Sequence, residues 1–413
     1  MCKKPAGWLS ELPRCRKTGI PAGMNDNLHP ALLPAGLRDI LPPDAQIEAD
    51  VVERLMAVLA GHGFDRVKPP LVEFESSLLG GPGAAMAQDT FRLMDPISQR
   101  MIGVRADMTL QIARIATTRL VKLPRPVRLS YAGQVLRVSG TQLRPERQFG
   151  QIGAELIGFD GAAADAEMVS LAAEALGAVG VDGLSVDLTL PPLVPLILAE
   201  LGVAGAAARA LRQALDHKDA AAIEAVGAPE AVLLAQLMAA AGPADRALER
   251  MARITLPAAA AAELARLTEI VGLIRAADPA LSLTIDPVEN RGFEYHTGLS
   301  FTLFARGIKG ELGRGGRYMA GIGGEAALVK ATARPPEPAT GFTLYTDTVL
   351  RAVPPAPLAR RIYLPHGTPA EAGRQLRGEG WITVAGLAPH APAEEGKHLG
   401  CSHAWRDGTA QPL

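Results

Sequence analysis

Ile47, Val51, Leu55 and Leu59 recur every fourth residue and predict one apolar face of a helix after the proline-rich lead "LPAGLRDILPPDAQ". The period then changes. "GFDRVKPPLVEFES" reads as a strand with an extended exit broken by Pro69 and Pro70, and "DTFRLMD" and "RMIGVRAD" flank a turn at Pro96 as a hairpin. Asp107 stands where it would cap the helix "MTLQIARIATTRL". Two long strands follow, "PVRLSYAGQVLRV" and "RQFGQIGAELIGF", then a helix at "DAEMVSLAAEALGAVG" and the strand "LSVDLTL". From about 191 to 282 the chain turns alanine-rich, with leucines at helical spacing and Pro/Gly breaks, which predicts a helical insertion between β segments. Strands resume in "LSLTIDPVENRGFEYHTGLSFTLFARG", "GELGRGGRYM" and "ATGFTLYTD". Residues 351–413 form a short α/β unit in which "RIYLPHGT", "PAEAGRQLRGEG" and "WITVAGL" give strand, helix, strand. The core over 28–350 is thus α+β, an antiparallel sheet with helices beside it.

Residues 1–27 lack apolar periodicity and are expected to be a disordered extension, its first 23 residues dispensable, with Met24 placed where an alternative start codon would stand. Lys3 and Lys4 are followed by no apolar run, so no secretory signal is read there.

Composition narrows the class. Of 413 residues, 48% are hydrophobic and 21% charged, enough for a large core and about two or three domains. The formal net charge of −1 creates no global field for nucleic acid. Three cysteines (Cys2, Cys15, Cys401) make no disulfide framework and no metal spacing, which suits a reducing cytoplasm. The most apolar stretch, "LPPLVPLILAELGVAGAAA", holds three prolines and Glu200, so a buried helix is expected there and no membrane span.

The chemistry-bearing residues are scattered. On "RQFGQIGAELIG" as a strand, Gln151 and Glu155 point to the same side. A carboxylate there is costly unless paired, so it marks either an ion pair at a sheet edge or a polar pocket. Arg137 shares parity with Val127, Leu129 and Tyr131, and a strand-end arginine facing water accounts for it equally well. Five arginines between 125 and 147 are not interleaved with aromatic residues as a nucleic-acid surface would be, and a solvated face explains them. "GRGGRY" lacks the lysine and spacing of a P-loop. "RGFEYHTG" sets Arg291, Tyr295 and His296 against the buried-looking run "LSFTLFA", as a solvated turn or as a pocket wall.

In order and spacing, "LPAGLRDILP", "FRLMD", "VRADMT", "RPVRLSYAGQVLR", "RQFGQIGAELIG", "RGFEYHTG" and "GGRY" resemble histidyl-tRNA synthetase, a class II aminoacyl-tRNA synthetase, over roughly 30–350. "RGFEYHTG" is similar to a histidine-specific signature of R-G-L-D-Y-Y type, and "GGRY" to a second. The resemblance implies a class II sheet of six or seven antiparallel strands and a pocket for L-histidine. Asp107, Thr109 and Gln151 would stand near the ammonium, and Glu155 would accept from the imidazole N–H. Arg291 would face the carboxylate, with Tyr295, His296 and Tyr318 closing the site; Arg137 joins the set at its motif 2 position.

Two features depart from the synthetase pattern. Motif 2 reads Arg137-Val138-Ser139 instead of R-x-E, and "TGFTLYTDTVL" brings no arginine before Arg351 where motif 3 needs one. Adenylate formation needs preorganised cations at the α-phosphate, and one lost donor costs roughly 10²- to 10³-fold. The C-terminal unit is also short for an anticodon-binding domain. This profile, with "VRADMT" in place of R-P-E-G-T, resembles the regulatory subunits of ATP phosphoribosyltransferase. That resemblance implies a non-catalytic cytoplasmic chain without cofactor or metal, a homodimer core, and assembly with a short-form catalytic subunit as a hetero-octamer. An active histidine–tRNA ligase and a histidine-binding paralogue regulating another target stay as alternatives.

Overall fold

The computed structural model describes residues 32–413 except 81–82, 84–85, 143, 226–228, 290–295, 322–334, 356–359 and 390. The expected N-terminal extension therefore lies outside the described residues, apart from the positions after 31. Leu33–Pro354 is one compact unit, and Pro355–Leu413 falls in another.

The larger unit opens with α1 (Asp44–Gly61), whose Val51, Leu55, Met56 and Leu59 are buried, the four-residue period seen in the sequence. Next come β1 (Asp65–Arg66), β2 (Val72–Phe74), α2 (Glu75–Leu78), β3 (Arg92–Met94) and β4 (Met101–Val104). β3 and β4 pair as the antiparallel hairpin that the sequence predicts, with β2 on the other side of β4. Then follow α3 (Thr109–Thr118), β5 (Val127–Leu136), β6 (Gln148–Ile157), α4 (Ala162–Ala178) and β7 (Leu184–Thr189).

The alanine-rich block folds as α5 (Leu193–Glu200), α6 (Gly205–Asp216), α7 (Ala220–Ala225), α8 (Pro229–Ala240), α9 (Ala244–Met251) and α10 (Ala258–Ala277), with the two-residue β8 (Gly242–Pro243) between α8 and α9. The chain returns through β9 (Ser282–Asp286), β10 (His296–Ala305), β11 (Gly313–Ala320), β12 (Glu337–Tyr345) and α11 (Thr346–Ala352).

The central sheet has nine strands in the order β1-β5-β6-β12-β11-β10-β7-β9-β8. The six from β5 to β7 are antiparallel throughout, as expected of a class II sheet. The sheet is wider than the sequence suggested, because β1 adds in parallel to β5 and β9 in parallel to β7.

Strand parity sorts the two faces. Ile152, Ala154 and Leu156 of β6 pack into the large core with α1, α4 and the helical block. Val127, Leu129, Tyr131, Val135 and Ile157 pack against Met108, Ile112 and Ala116 around α3 on the opposite face. Gln151, Gly153 and Glu155 share the α3 face by alternation.

The second unit runs β13 (Arg361–Leu364), α12 (Ala370–Gly378), β14 (Ile382–Ala385), α13 (Pro392–His398), β15 (His403–Arg406) and β16 (Thr409–Pro412), with sheet order β14-β13-β15-β16. β13 and β14 are parallel across α12, the strand–helix–strand pattern of the sequence. Among the described residues no helix is long and apolar enough to cross a membrane.

A buried ion pair pins β11 to α4. The Arg317 guanidinium donates to both oxygens of Asp165 at 3.0–3.1 Å and to the carbonyls of Phe159 and Gly161 at 3.1 Å. Arg266 of α10 adds Asp160 at 2.7 Å and Asp165 at 3.4 Å. Asp165 is fully buried and Arg317 nearly so. Losing one partner strands the other charge in the core, which costs about 3–5 kcal/mol. Arg317→Met should lower the urea midpoint accordingly at unchanged slope. The double variant Arg317→Met with Asp165→Leu should recover most of the loss.

Candidate functional site

The site is built on the α3 face of the sheet, where β6 presents Gln151 and Glu155, both buried. The antiparallel register sets a glycine beside each bulky polar group. Glu155 lies across from Gly341, Tyr131 across from Gly153, and Gly153 is flanked on its other side by Thr343. These glycines are sterically required. A Cβ at Gly341 would be driven into Glu155 Oε2, one at Gly153 into the Tyr131 hydroxyl, and one at Gly316 into the His296 ring. The glycine-rich "GGRY" is therefore part of a trough cut into the sheet.

Glu155 accepts from Tyr318 at 2.9 Å and from Tyr131 at 3.2 Å. Burial pushes its carboxyl up to about 8; the two tyrosine hydrogen bonds oppose the rise without cancelling it, and Asp107 adds to it. The Tyr131 phenol is likewise raised well above its ordinary range, first by burial and then by Glu155 and Asp107. Its hydroxyl lies 2.7 Å from Thr343 Oγ1 and 3.2 Å from Thr109 Oγ1.

Gln151 is fixed from two sides. Its amide nitrogen donates to Asp107 Oδ2 at 2.7 Å and its oxygen accepts from the Met108 N–H at 2.9 Å. The helix begins at Thr109, one residue later than the sequence reading placed it, and Asp107 Oδ1 accepts the Thr109 N–H at 2.9 Å. Asp107 thus satisfies a helix-end donor and still offers carboxylate edge to the cavity. That cavity, about 330 Å³, is lined by Asp107, Thr109, Glu155, His296, Tyr318 and Thr343, among others. It sits at the small end of ligand-pocket sizes. Two carboxyl groups dominate it, which suits a small ligand carrying an ammonium and a further N–H donor.

Of the residues singled out in the sequence, the structure gathers Asp107, Thr109, Gln151, Glu155, His296 and Tyr318 around this trough. Arg291 and Tyr295 lie outside the described residues. Arg137 does not join the group. It follows the end of β5, stacks 5.3 Å from the Phe149 ring and lines the neighbouring cavity. Tyr131, Thr343 and Tyr345 were not named among the site residues, although "TGFTLYTD" as a strand gives Thr343 and Tyr345 the parity of Gly341.

The neighbouring cavity encloses about 1210 Å³ and is lined by Arg137, Ser139, Arg144, Glu311, Arg314 and Thr348, among others. Its arginines face acidic groups. Arg144 donates to Asp347 at 3.0 Å and lies 4.0 Å from Glu311, and Arg314 binds both Glu311 oxygens at 2.6–2.7 Å. The Arg144 guanidinium also stacks 3.9 Å over Tyr345, whose ring meets Phe149 edge-on at 5.9 Å. Tyr345 lines the Glu155 trough while Arg144 and Phe149 line the larger cavity, so this stack is a partition between the two. Among the described residues no cluster of three or more His, Cys, Asp or Glu is placed to hold a metal ion.

Residues 36–349 match the family model for histidyl-tRNA synthetase. The chain is 60% identical over 384 residues to the ATP phosphoribosyltransferase regulatory subunit of Rhodospirillum centenum, covering 93% of this chain and 96% of that one. It is 58% identical to the protein of the same name from Paramagnetospirillum magneticum, covering 92% and 97%. Among solved structures, an ATP phosphoribosyltransferase regulatory subunit/histidyl-tRNA synthetase from Bacillus halodurans superposes with a TM-score of 0.74 at 23% identity, over 88% of this chain and 95% of that one. Histidyl-tRNA synthetase from Nostoc gives 0.74 at 18% identity, over 90% of each chain, a likeness of fold. The chain belongs to the ATP phosphoribosyltransferase regulatory subunit family, built on the class II fold of histidyl-tRNA synthetase.

Proposed function

We propose that this chain is the non-catalytic regulatory subunit of an ATP phosphoribosyltransferase, acting with a separate short-form catalytic chain at the first step of histidine biosynthesis. In this reading the Glu155 trough takes free L-histidine and carries its feedback. The relatives' shared name supports the partnership. The trough's chemistry supports the ligand: Asp107 and Gln151 suit an ammonium, and Glu155 suits a ring N–H. Assembly is proposed as a homodimer through the synthetase-like core, joined by catalytic chains into a hetero-octamer.

The observation that carries the reading is the partition. An aminoacyl-adenylate forms only when an amino-acid carboxylate reaches an α-phosphate held by preorganised cations. Here Tyr345, stacked on Arg144 and Phe149, stands between the two cavities, and Arg144 and Arg314 are bound to Asp347 and Glu311. The family-model match favours a second reading, an active histidine–tRNA ligase. The two readings separate in one assay. With L-histidine, ATP and pyrophosphate, the chain should show no histidine-dependent exchange above background; exchange at a synthetase-like rate would establish the ligase.

Glu155→Gln tests the ligand assignment. It keeps the shape of the side chain and removes its capacity to act as an anionic acceptor. A hydrogen bond to a charged group is worth roughly 1.5–3 kcal/mol, so histidine affinity should fall about ten- to a hundredfold. Phosphoribosyl-ATP formation by the assembled complex should persist, with its histidine inhibition curve displaced to higher concentration. Superimposable curves for the native and Glu155→Gln complexes would place feedback elsewhere.

A further inference from the structure

The hydroxyls around Glu155 form a chain with a choice of direction. Thr343 Oγ1 is 2.7 Å from the Tyr131 hydroxyl, which is 3.2 Å from Glu155 Oε1; Thr109 Oγ1 lies 3.2 Å from Tyr131 and 3.4 Å from Thr343. Tyr131 has one proton to give. If Glu155 is ionised, Tyr131 donates to it, and the Tyr131 oxygen must then accept from Thr343 or Thr109. If Glu155 is protonated on that oxygen, it donates to Tyr131, and Tyr131 turns to donate to Thr343. Every member is a hydroxyl that can serve in either sense. Thr343 is the nearest partner of Tyr131 and is itself buried.

We propose that Thr343, acting through Tyr131, is the positioning residue that lets Glu155 take the ionised form in which it accepts a ligand's ring N–H. This rests on the histidine reading above and assigns a residue that sets when the pocket is competent. A hydroxyl donating to Tyr131 polarises the phenol and strengthens its own donation to the carboxylate. Charge-assisted bonds are the stronger ones, so loss of Thr343 weakens the ionised form of Glu155 more than the protonated form. The raised pKa of the Glu155 carboxyl puts this balance near neutrality.

Other groups face the same space: Tyr318 and Arg314 from β11, His296 from β10, and Asp107 and Thr109 at the start of α3. None of them changes in a Thr343 variant. The ratio of variant to native affinity at one pH therefore cancels their titration and that of the ligand.

The test is calorimetric titration of the full chain with L-histidine at pH 6.5 and pH 8.5, for the native protein, Thr343→Val and Thr343→Ser. Thr343→Val should bind about five- to tenfold more weakly at the lower pH, the worth of one hydrogen bond. At the higher pH, where ionisation of Glu155 is easier in both proteins, the gap should close to about twofold or less. Thr343→Ser restores the hydroxyl and should track the native protein at both. Unchanged affinity in Thr343→Val, or an equal loss at both pH values, overturns the proposal, since packing damage has no reason to vanish on raising the pH.

If the native chain binds no histidine, the ligand reading fails, and the relay is decided separately in the ligand-free chain. The carboxyl carbon resonance of Glu155, assigned by its absence in Glu155→Gln, should then titrate higher in Thr343→Val by on the order of half a pH unit. Coincident titrations would dismiss the relay too.

Discussion

A carboxyl group sits fully buried in the middle of a ten-residue strand, and the surrounding sheet is organised to tolerate it. Burial of Glu155 disfavours its charge, and two tyrosine hydroxyls from strands on opposite sides of β6 partly restore what water would have supplied. Those hydroxyls reach the carboxyl only because the intervening positions have no side chain. Gly341 clears Glu155 and Gly153 clears Tyr131. Since antiparallel pairing fixes which residues are neighbours, the placement of glycines on β6, β11 and β12 and the placement of the polar groups are one constraint. A one-residue slip of any of these strands would turn the polar row into the large apolar core.

That explains why the opposite face carries its own lock. Consecutive residues of β11 do opposite work: Tyr318 points at Glu155, and Arg317 points the other way into Asp165 and the carbonyls that lead into α4. A buried ion pair is a weak source of net stability, since desolvating both charges offsets most of their attraction. Its value here is geometric. Only one register of β11 satisfies the guanidinium, and that register also brings Tyr318 to the carboxyl. Specificity of strand placement and completion of the trough are thereby coupled through adjacent side chains.

Much of this was legible in the chain. The four-residue period of α1, the long alternating strands β5 and β6, the alanine-rich insertion and the strand–helix–strand of the second unit all follow from apolar spacing, which reports burial directly. Parity alone put Gln151 and Glu155 on one face. What escaped was pairing at long range and the identity of edges. β1 and β8 are two residues each, too short to show alternation, so the sheet came out wider than expected. The Arg317–Asp165 pair joins residues 152 positions apart, and neither has a local pattern that announces the other. Arg137 had the right parity yet sits past the strand end, where alternation stops governing direction. Tyr345 looked like the end of a buried strand, and its role as a partition appears only once Arg144 and Phe149 are seen stacked on it.

The same burial that makes Glu155 costly makes the trough selective. A site lined by buried polar groups discriminates mainly by what it leaves unpaired: a ligand that lacks the matching donor must strand a desolvated acceptor, a larger penalty than a misfit of one methylene in an apolar pocket. Glu155 already receives one hydroxyl on each oxygen, so its remaining capacity is directional and small. An apolar ligand of the right volume would displace water from the carboxyl and return nothing, whereas a planar ring bearing an N–H would return one directed bond. The partition adds a second restriction, because Tyr345 and its stacked arginine bound the space available beyond the ligand's polar end. Recognition without onward chemistry then follows from the same few side chains: the sheet supplies the acceptor, the glycines supply the room, and the aromatic–guanidinium wall withholds the neighbouring cavity.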